Sequence, residues 1–232
     1  MYASEHTAER SADLLARLNA STVRYDVGRG GIPELTPQDI AAAVAMVPDG
    51  LGRELLCRIH WPDGSRRSEA RLHRLLLDAQ LAEWTARETA MYRALAGVAS
   101  LEFNDNRSAA TAAYSKACSS RWPKWCVKTE PVVIAKAYYA IREAVLEEVR
   151  HPRQCRECNG HGNLNKREGH EVCPRCAGTG TVRFGPSWRA AKLGMKEASF
   201  NERWLGPYDW LYNLVAEQLA EAERAFIRVV RR

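Results

Sequence analysis

The sequence writes one pattern twice. "CRECNGHG" runs from Cys155 to Gly162 and "CPRCAGTG" from Cys173 to Gly180; both are C-x-x-C-x-G-x-G, with 14 residues between Cys158 and Cys173. A C-x-x-C pair forms a tight knuckle that presents both sulfurs to one point, so two pairs can surround a single tetrahedral ion. The glycines that follow, Gly160 and Gly162, then Gly178 and Gly180, let the backbone turn back sharply and point amides at the sulfurs. The spacer is close to the roughly 15–20 residues usual between such pairs. The pattern therefore predicts one structural Zn²⁺ held by Cys155, Cys158, Cys173 and Cys176. A catalytic zinc needs an open position, and four thiolates leave none. A redox dithiol goes with a βαβ setting, which the flanking sequence lacks. His151, His161 or His170 can stand in for a cysteine at such a site, but the spacing does not require it. The other three cysteines, Cys57, Cys118 and Cys126, read as small buried residues.

Charge is unevenly placed around this repeat. Residues 1–150 carry 20 Lys and Arg against 19 Asp and Glu; residues 151–232 carry 14 against 9. Nearly all of the net +6 thus lies with the cysteines, which points to a polyanion, most simply double-stranded DNA. The plainer reading, a solvated basic face, has equal weight on charge alone. With 46% hydrophobic and 27% charged residues the chain is a folded globular protein with one large domain or two modest ones. The start, "MYASEHTAERSADLLARLNAS", has no apolar core of a secretory signal, and the longest apolar run, Ile40 to Val47, is too short to span a bilayer. A cytoplasmic protein without membrane contact is the expectation, and in that compartment cysteines favour metal over disulfides.

The class expected is mainly α: a helical N-terminal region, 1–150, then a module over 151–232 with a four-cysteine zinc finger, short β-hairpin pieces beside it and a helix-turn-helix. "ERSADLLARLNAS" reads as a short amphipathic helix, and "YDVGRGGIPE" (25–34) as a loop. Thr36 is a good N-cap for the helix that follows, with Pro37 at its first position and Asp39 at its positive end. "HWPDGSRR" (60–67) is a turn. A long helical pattern runs from Ser68 to about Ala99, "EFNDNRS" breaks it, and a further helix covers Ala109 to Ser119. "RWPKWCVKTEP" connects to a strong amphipathic helix that ends near His151–Pro152.

After the second knuckle, "GPSWRAAKLGMKEASFNERWLGPYDWLYNLVAEQL" carries a helix-turn-helix pattern. Ala190 lies four residues before Gly194, and Leu193, Met195 and Phe200 would hold two helices together, the second from Lys196–Glu197 through Trp204. Its outward face offers Lys196, Ser199, Asn201, Glu202 and Arg203 to base edges and phosphates in a major groove. Arg203 falls where an apolar residue is common, which gives the packing role to Trp204. Lys166, Arg167, Arg175, Arg183, Arg189 and Lys192 are the candidate phosphate contacts. A helical hairpin with no DNA role has the same pattern.

This order of parts resembles the Q antitermination proteins of lambdoid bacteriophages and related prophages. The resemblance is specific from Cys155 to Leu219 and weaker upstream, where "YDVGRGGIPELTPQDIAAAV" is similar to the opening part of such proteins. It implies a factor that binds DNA at a phage late promoter and contacts sigma-containing bacterial RNA polymerase paused just downstream. Such a factor loads onto the polymerase and makes it read through pauses and terminators by acting at the RNA exit channel, with the nascent RNA nearby. Under the resemblance the four cysteines match the family's zinc ligands, the helix-turn-helix residues match its DNA-reading segment, and residues 1–150 become the polymerase-contacting body. Two other readings stand beside it. One is a sequence-specific DNA-binding regulator with the same site and no antitermination activity. The other is a chaperone-like module, because C-x-x-C-x-G-x-G also marks the DnaJ co-chaperones; those have four such repeats and a His-Pro-Asp loop, against two repeats and "HPR" here. No phosphate loop, nucleophile–base pair or paired carboxylates stand at motif spacing, so an enzyme is not expected.

Overall fold

The structure is a computed structural model that describes residues 5–16, 18, 36–61, 69–100, 107–120, 122, 131–166 and 169–230. The described chain is mainly helical, and none of its helices is long and apolar enough to cross a membrane. In chain order the elements are α1 (Glu5–Ala16), α2 (Pro37–Met46), α3 (Leu51–His60), α4 (Glu69–Ala99), α5 (Arg107–Ser120) and α6 (Pro131–Arg150). Then come β1 (Arg153–Gln154), β2 (Asn163–Lys166), β3 (Gly169–Val172), β4 (Thr181–Val182), α7 (Pro186–Lys192), α8 (Glu197–Arg203) and α9 (Leu205–Val230). The loop expected at 25–34, the residues of the 60–67 turn beyond Trp61, and most of "RWPKW" lie outside the described residues.

Grouped by proximity, the chain forms two compact units: Met1–Leu75, Leu146–Phe184 and Asn213–Arg232 in the first, Leu76–Val145 and Gly185–Tyr212 in the second. The division expected at residue 150 is one of charge and motif, whereas these units are defined by packing.

In the first unit, α2 starts as its sequence dictates. The Asp39 N–H donates to Thr36 Oγ1 (3.2 Å) and the Thr36 N–H donates to Asp39 Oδ2 (2.9 Å), so two amides that a helix start leaves unbonded are both satisfied. The unit's buried apolar side chains include Leu15, Ile40, Leu55, Leu56, Leu72, Val215 and Phe226. The helix α3, which no strong start signal announces, packs closely on α9. A Cβ at Gly52 would sit 2.8 Å from the Gln218 carbonyl oxygen, so only glycine allows this approach. The same two helices are joined by a largely buried contact, His60 Nε2 to Glu223 Oε1 at 2.9 Å. At the end of α6 the buried Glu148 accepts the Phe184 N–H (2.9 Å) and so ties down the chain as it leaves the cysteine region.

In the second unit aromatic pairs stand in the core beside the aliphatic Leu76, Ile141, Val145 and Leu211. Phe200 and Tyr208 meet edge to face (5.7 Å between centroids), as do Tyr138 and Trp204 (6.1 Å) and Trp122 and Trp210 (5.5 Å). Arg87 lies over the Trp122 ring at 3.8 Å and donates to the Ser120 carbonyl (2.9 Å), fixing the chain just after α5. The α5 helix buries none of its side chains; its alanines give it helix propensity in place of packing. Two short helices follow the cysteine region. The first, α7, ends in a Schellman turn: Gly194 takes φ +67°, its N–H donates to the Ala191 carbonyl, and the Met195 N–H donates to the Ala190 carbonyl. The second, α8, ends at Arg203 with Trp204 as its cap. It cannot run on, because Pro207 has no N–H for the Arg203 carbonyl and its ring would crowd that carbonyl. Instead a new 26-residue helix, α9, begins with Pro207 in its first turn, where a missing N–H costs nothing.

Candidate functional site

The two C-x-x-C-x-G-x-G segments fold alike and interlock. Gln154 and Arg153 on β1 pair with Thr181 and Val182 on β4, and β2 pairs with β3 in antiparallel register from Asn163–Val172 to Lys166–Gly169. The backbone bonds are reciprocal. The Cys155 N–H donates to the Gly180 carbonyl and the Cys173 N–H to the Gly162 carbonyl, both at 2.8 Å. Within each knuckle the His161 N–H donates to the Cys158 carbonyl and the Thr179 N–H to the Cys176 carbonyl, both at 3.0 Å. An 18-residue shift maps one set of bonds onto the other, so the arrangement has a local two-fold character. The glycines make this close approach possible. A Cβ at Gly162 would lie 2.2 Å from the Gly178 carbonyl oxygen, and one at Gly180 would lie 2.3 Å from the Gly160 carbonyl oxygen.

The result is a cage of sulfur. Cys155, Cys158, Cys173 and Cys176 are all buried, and their Sγ atoms lie within 4.8 Å of one another. The cross-knuckle pairs are the close ones, Cys155–Cys173 at 3.9 Å and Cys158–Cys176 at 3.7 Å. A tetrahedral zinc with bonds of about 2.3 Å sets its sulfurs about 3.8 Å apart, so the four cysteines fit a single metal ion. Leu164 and Val182 pack against the cluster and keep it dry. The amide of Cys158 points at Cys155 and holds its thiol down, to about 7, with a smaller contribution from the amide of Glu157. Burial pushes the Cys173 thiol up, to about 11. One thiolate thus forms readily and a second beside it does not, which is the situation a bound dication reverses. Cys57, by contrast, has its thiol raised to about 11 by burial, with Glu54 adding to the effect, and it lies apart from the cluster.

The basic and polar residues expected to meet DNA are divided between the two units. In the first unit, Arg175 is exposed in the second knuckle, and Arg183 is exposed and donates to Asn213 Oδ1 (2.7 Å). Lys166 ends β2, where its backbone alone is described, and Arg167 lies outside the described residues. In the second unit, Lys196 is exposed at the start of α8, Asn201, Glu202 and Arg203 are exposed at its end, and Ser199 is half-buried. Lys192 is exposed on α7 with its ammonium 5.3 Å from the Trp188 ring. Phe200 and Trp204 are buried, in keeping with the packing roles expected of them.

Arg189 departs from its expected place at a phosphate. It is buried, donates to Asp209 Oδ1 at 2.8 Å and lies over the Tyr208 ring at 4.6 Å. Tyr212 flanks it at 5.7 Å. Its charge is spent inside the unit. The signal was present in "GPYDWLY", which places Tyr208, Asp209 and Tyr212 on the first turns of a helix, but only the fold brings that helix against α7. Compared with family models, with curated proteins and with solved structures, the chain matches none.

Proposed function

We propose that this chain is a zinc-containing, DNA-binding transcription antitermination factor of a bacteriophage or prophage, working in the cytoplasm of its bacterial host. The observation that carries the reading is the closed four-cysteine cage followed, after a few residues, by two short helices of which the second offers Lys196, Asn201, Glu202 and Arg203 to solvent. The metal is zinc because four thiolates in a closed tetrahedron suit a soft, non-catalytic ion, and iron–sulfur chemistry is the other user of such a set. We read α7 and α8 as a helix-turn-helix with α8 as the reading helix, Asn201 and Glu202 facing base edges, and Arg175, Arg183, Lys192 and Lys196 facing phosphates. The polymerase step rests on the resemblance of residues 155–219 to the Q antitermination proteins. In that step the factor engages sigma-containing RNA polymerase paused near the promoter, acts near the emerging RNA, and carries the enzyme past terminators.

The test is transcription in vitro across an intrinsic terminator, with and without the protein, on templates with and without the cognate late promoter. Readthrough that needs both protein and promoter supports the proposal. DNA binding without a change in readthrough leaves the second reading, a zinc-dependent DNA-binding regulator, which the exposed face of α8 supports equally. Absence of any DNA binding by the zinc-loaded protein overturns both.

A further inference from the structure

We propose that the peptide bond between Asn159 and Gly160 is a modification site guarded by the cysteine cage. While the cage is closed the bond is kept; once it opens, the bond converts to an isoaspartyl link that keeps the cage from re-forming. Asn159 is the one asparagine of the chain that glycine follows. An asparagine side-chain amide is open to attack by the next backbone nitrogen, and glycine leaves that nitrogen unhindered. Both residues are exposed, so water reaches the bond. Asn159 takes a left-handed φ of +50° as the first knuckle turns back. Its equivalent in the second knuckle, Ala177, takes φ +51° with a methyl group, so the turn itself does not call for a carboxamide. The reactive pair is therefore a feature of one knuckle and not of the repeat.

The reaction needs no partner but water. The Gly160 nitrogen gives up its proton to solvent and bonds to the Asn159 side-chain carbonyl carbon, and the side-chain nitrogen leaves as ammonia. A cyclic succinimide results, and one water opens it. Opening at the side-chain carbonyl leaves aspartate in a normal chain. Opening at the main-chain carbonyl leaves the isoaspartyl link, with one more carbon in the backbone. In the closed module both polar atoms of this peptide unit are held: the Gly160 N–H donates to the Cys155 carbonyl at 3.1 Å, and the Asn159 carbonyl accepts from Gln154 Nε2 at 2.7 Å. The nitrogen cannot swing toward the side chain until both bonds break. A longer backbone has no room afterwards, because the Gly160 carbonyl oxygen lies only 2.3 Å from where a Cβ on Gly180 would stand. The inference rests on the metal part of the function proposed above and on no part of its DNA or polymerase reading.

The full-length protein is incubated at neutral pH and body temperature under reductant, one sample zinc-loaded and one held in chelator, with metal content measured on both. The tryptic peptide Glu157–Lys166 is followed for the amide-to-acid mass change and for isoaspartate. Conversion at Asn159 is expected to be at least about tenfold faster in the chelated sample, since in the loaded one it waits on local opening. Asn163 and Asn165, in the same peptide but followed by leucine and lysine, should lag behind Asn159. Chains with the isoaspartyl link should fail to take zinc back. Asn159→Asp, the other product made genetically, and Asn159→Gly, which cannot react, should both take it up. Equal rates in two samples that differ in metal content overturn the guard. So does the absence of conversion in chelator, and so does full zinc uptake by isoaspartyl chains. A protein that takes up no metal overturns the metal reading and this inference with it, and the metal analysis tells that result from the other three.

Discussion

The cysteine module and the helix pair that follows it are both short, both carry arginine, and treat it in opposite ways. In the module the interior is four sulfurs with Leu164 and Val182, and the middle positions of each C-x-x-C face out, so Arg156 and Arg175 are exposed. In the helix pair the interior is aromatic, and it draws Arg189 in between the Tyr208 ring and the Asp209 carboxylate. The difference shows that a count of positive charge near a motif does not give the charge available to a ligand. What fills the interior decides. Sulfur ligands leave no place for a guanidinium, whereas tyrosine rings with a carboxylate do.

The widest gap between the two regions is expected on metal removal. A structural zinc supplies folding energy directly, about 10–16 kcal/mol in zinc-finger peptides, and nothing in the module's small core replaces that. A chelator, or Cys173→Ser, should abolish metal retention and strip hydrogen-exchange protection from residues 153–182. The amides around Phe200 and Tyr208, which rest on ring packing, should keep most of theirs. Metal content and exchange measured on one sample check this. Equal loss of protection in both regions would break the contrast.

Next in size is Gly162→Ala. The left-handed φ of +72° alone disfavours a side chain, and the new Cβ would press on the Gly178 carbonyl at 2.2 Å, backbone against backbone. The module should lose more than about 2 kcal/mol, read as weaker metal retention against a competing chelator. Gly185→Ala, which meets nothing within 4 Å, is the matched control and should retain metal normally. If both variants release metal alike, the interlocked backbone is not what shapes the cage.

On the other side of the comparison, Arg189→Ala leaves Asp209 unpaired and empties the space over Tyr208. A fully buried pair broken this way costs about 3–5 kcal/mol; Asp209 is 39% exposed, so the expected loss is smaller, about 2–3 kcal/mol. In a chain of this size that lowers the melting temperature by roughly 5–10 °C. The salt dependence of DNA binding by the folded variant should stay as it was. A change in that slope with no change in melting would return Arg189 to the phosphate role that its sequence position suggested.

These cases mark how far the sequence could be read. The cage was legible because its ligands and its glycines recur at short fixed spacings, so local geometry is enough. The start of α2 was legible for the same reason: Thr36, Pro37 and Asp39 satisfy the first amides among themselves. The start of α9 was not, since Trp204 fits either as the end of one helix or the interior of a longer one until Pro207 is set against the Arg203 carbonyl. Arg189 was misplaced because its partner lies 20 residues on, in a helix whose position depends on aromatic packing. The need for glycine at position 52 depends on Gln218, far along the chain. Contacts of that range leave no periodic trace.

The smallest expected effect falls on Lys192, and it isolates charge from packing. Lys192 shares α7 with Arg189 but is exposed, its ammonium 5.3 Å from the Trp188 ring in solvent. An exposed contact of that kind is worth about 0.5–1 kcal/mol at most, so Lys192→Ala should shift the melting temperature by no more than roughly 4 °C. If the proposed DNA reading is right and this ammonium neutralises a phosphate, the plot of log affinity against log salt should lose about one unit of slope, equally on cognate and random DNA. Stability and slope thus separate the two neighbours: Arg189 moves the first and Lys192 the second. Measuring both quantities for both variants tests the assignment without knowledge of the DNA site. A Lys192 variant with unchanged slope would take α7 off the DNA and leave the α8 residues to carry the contact alone.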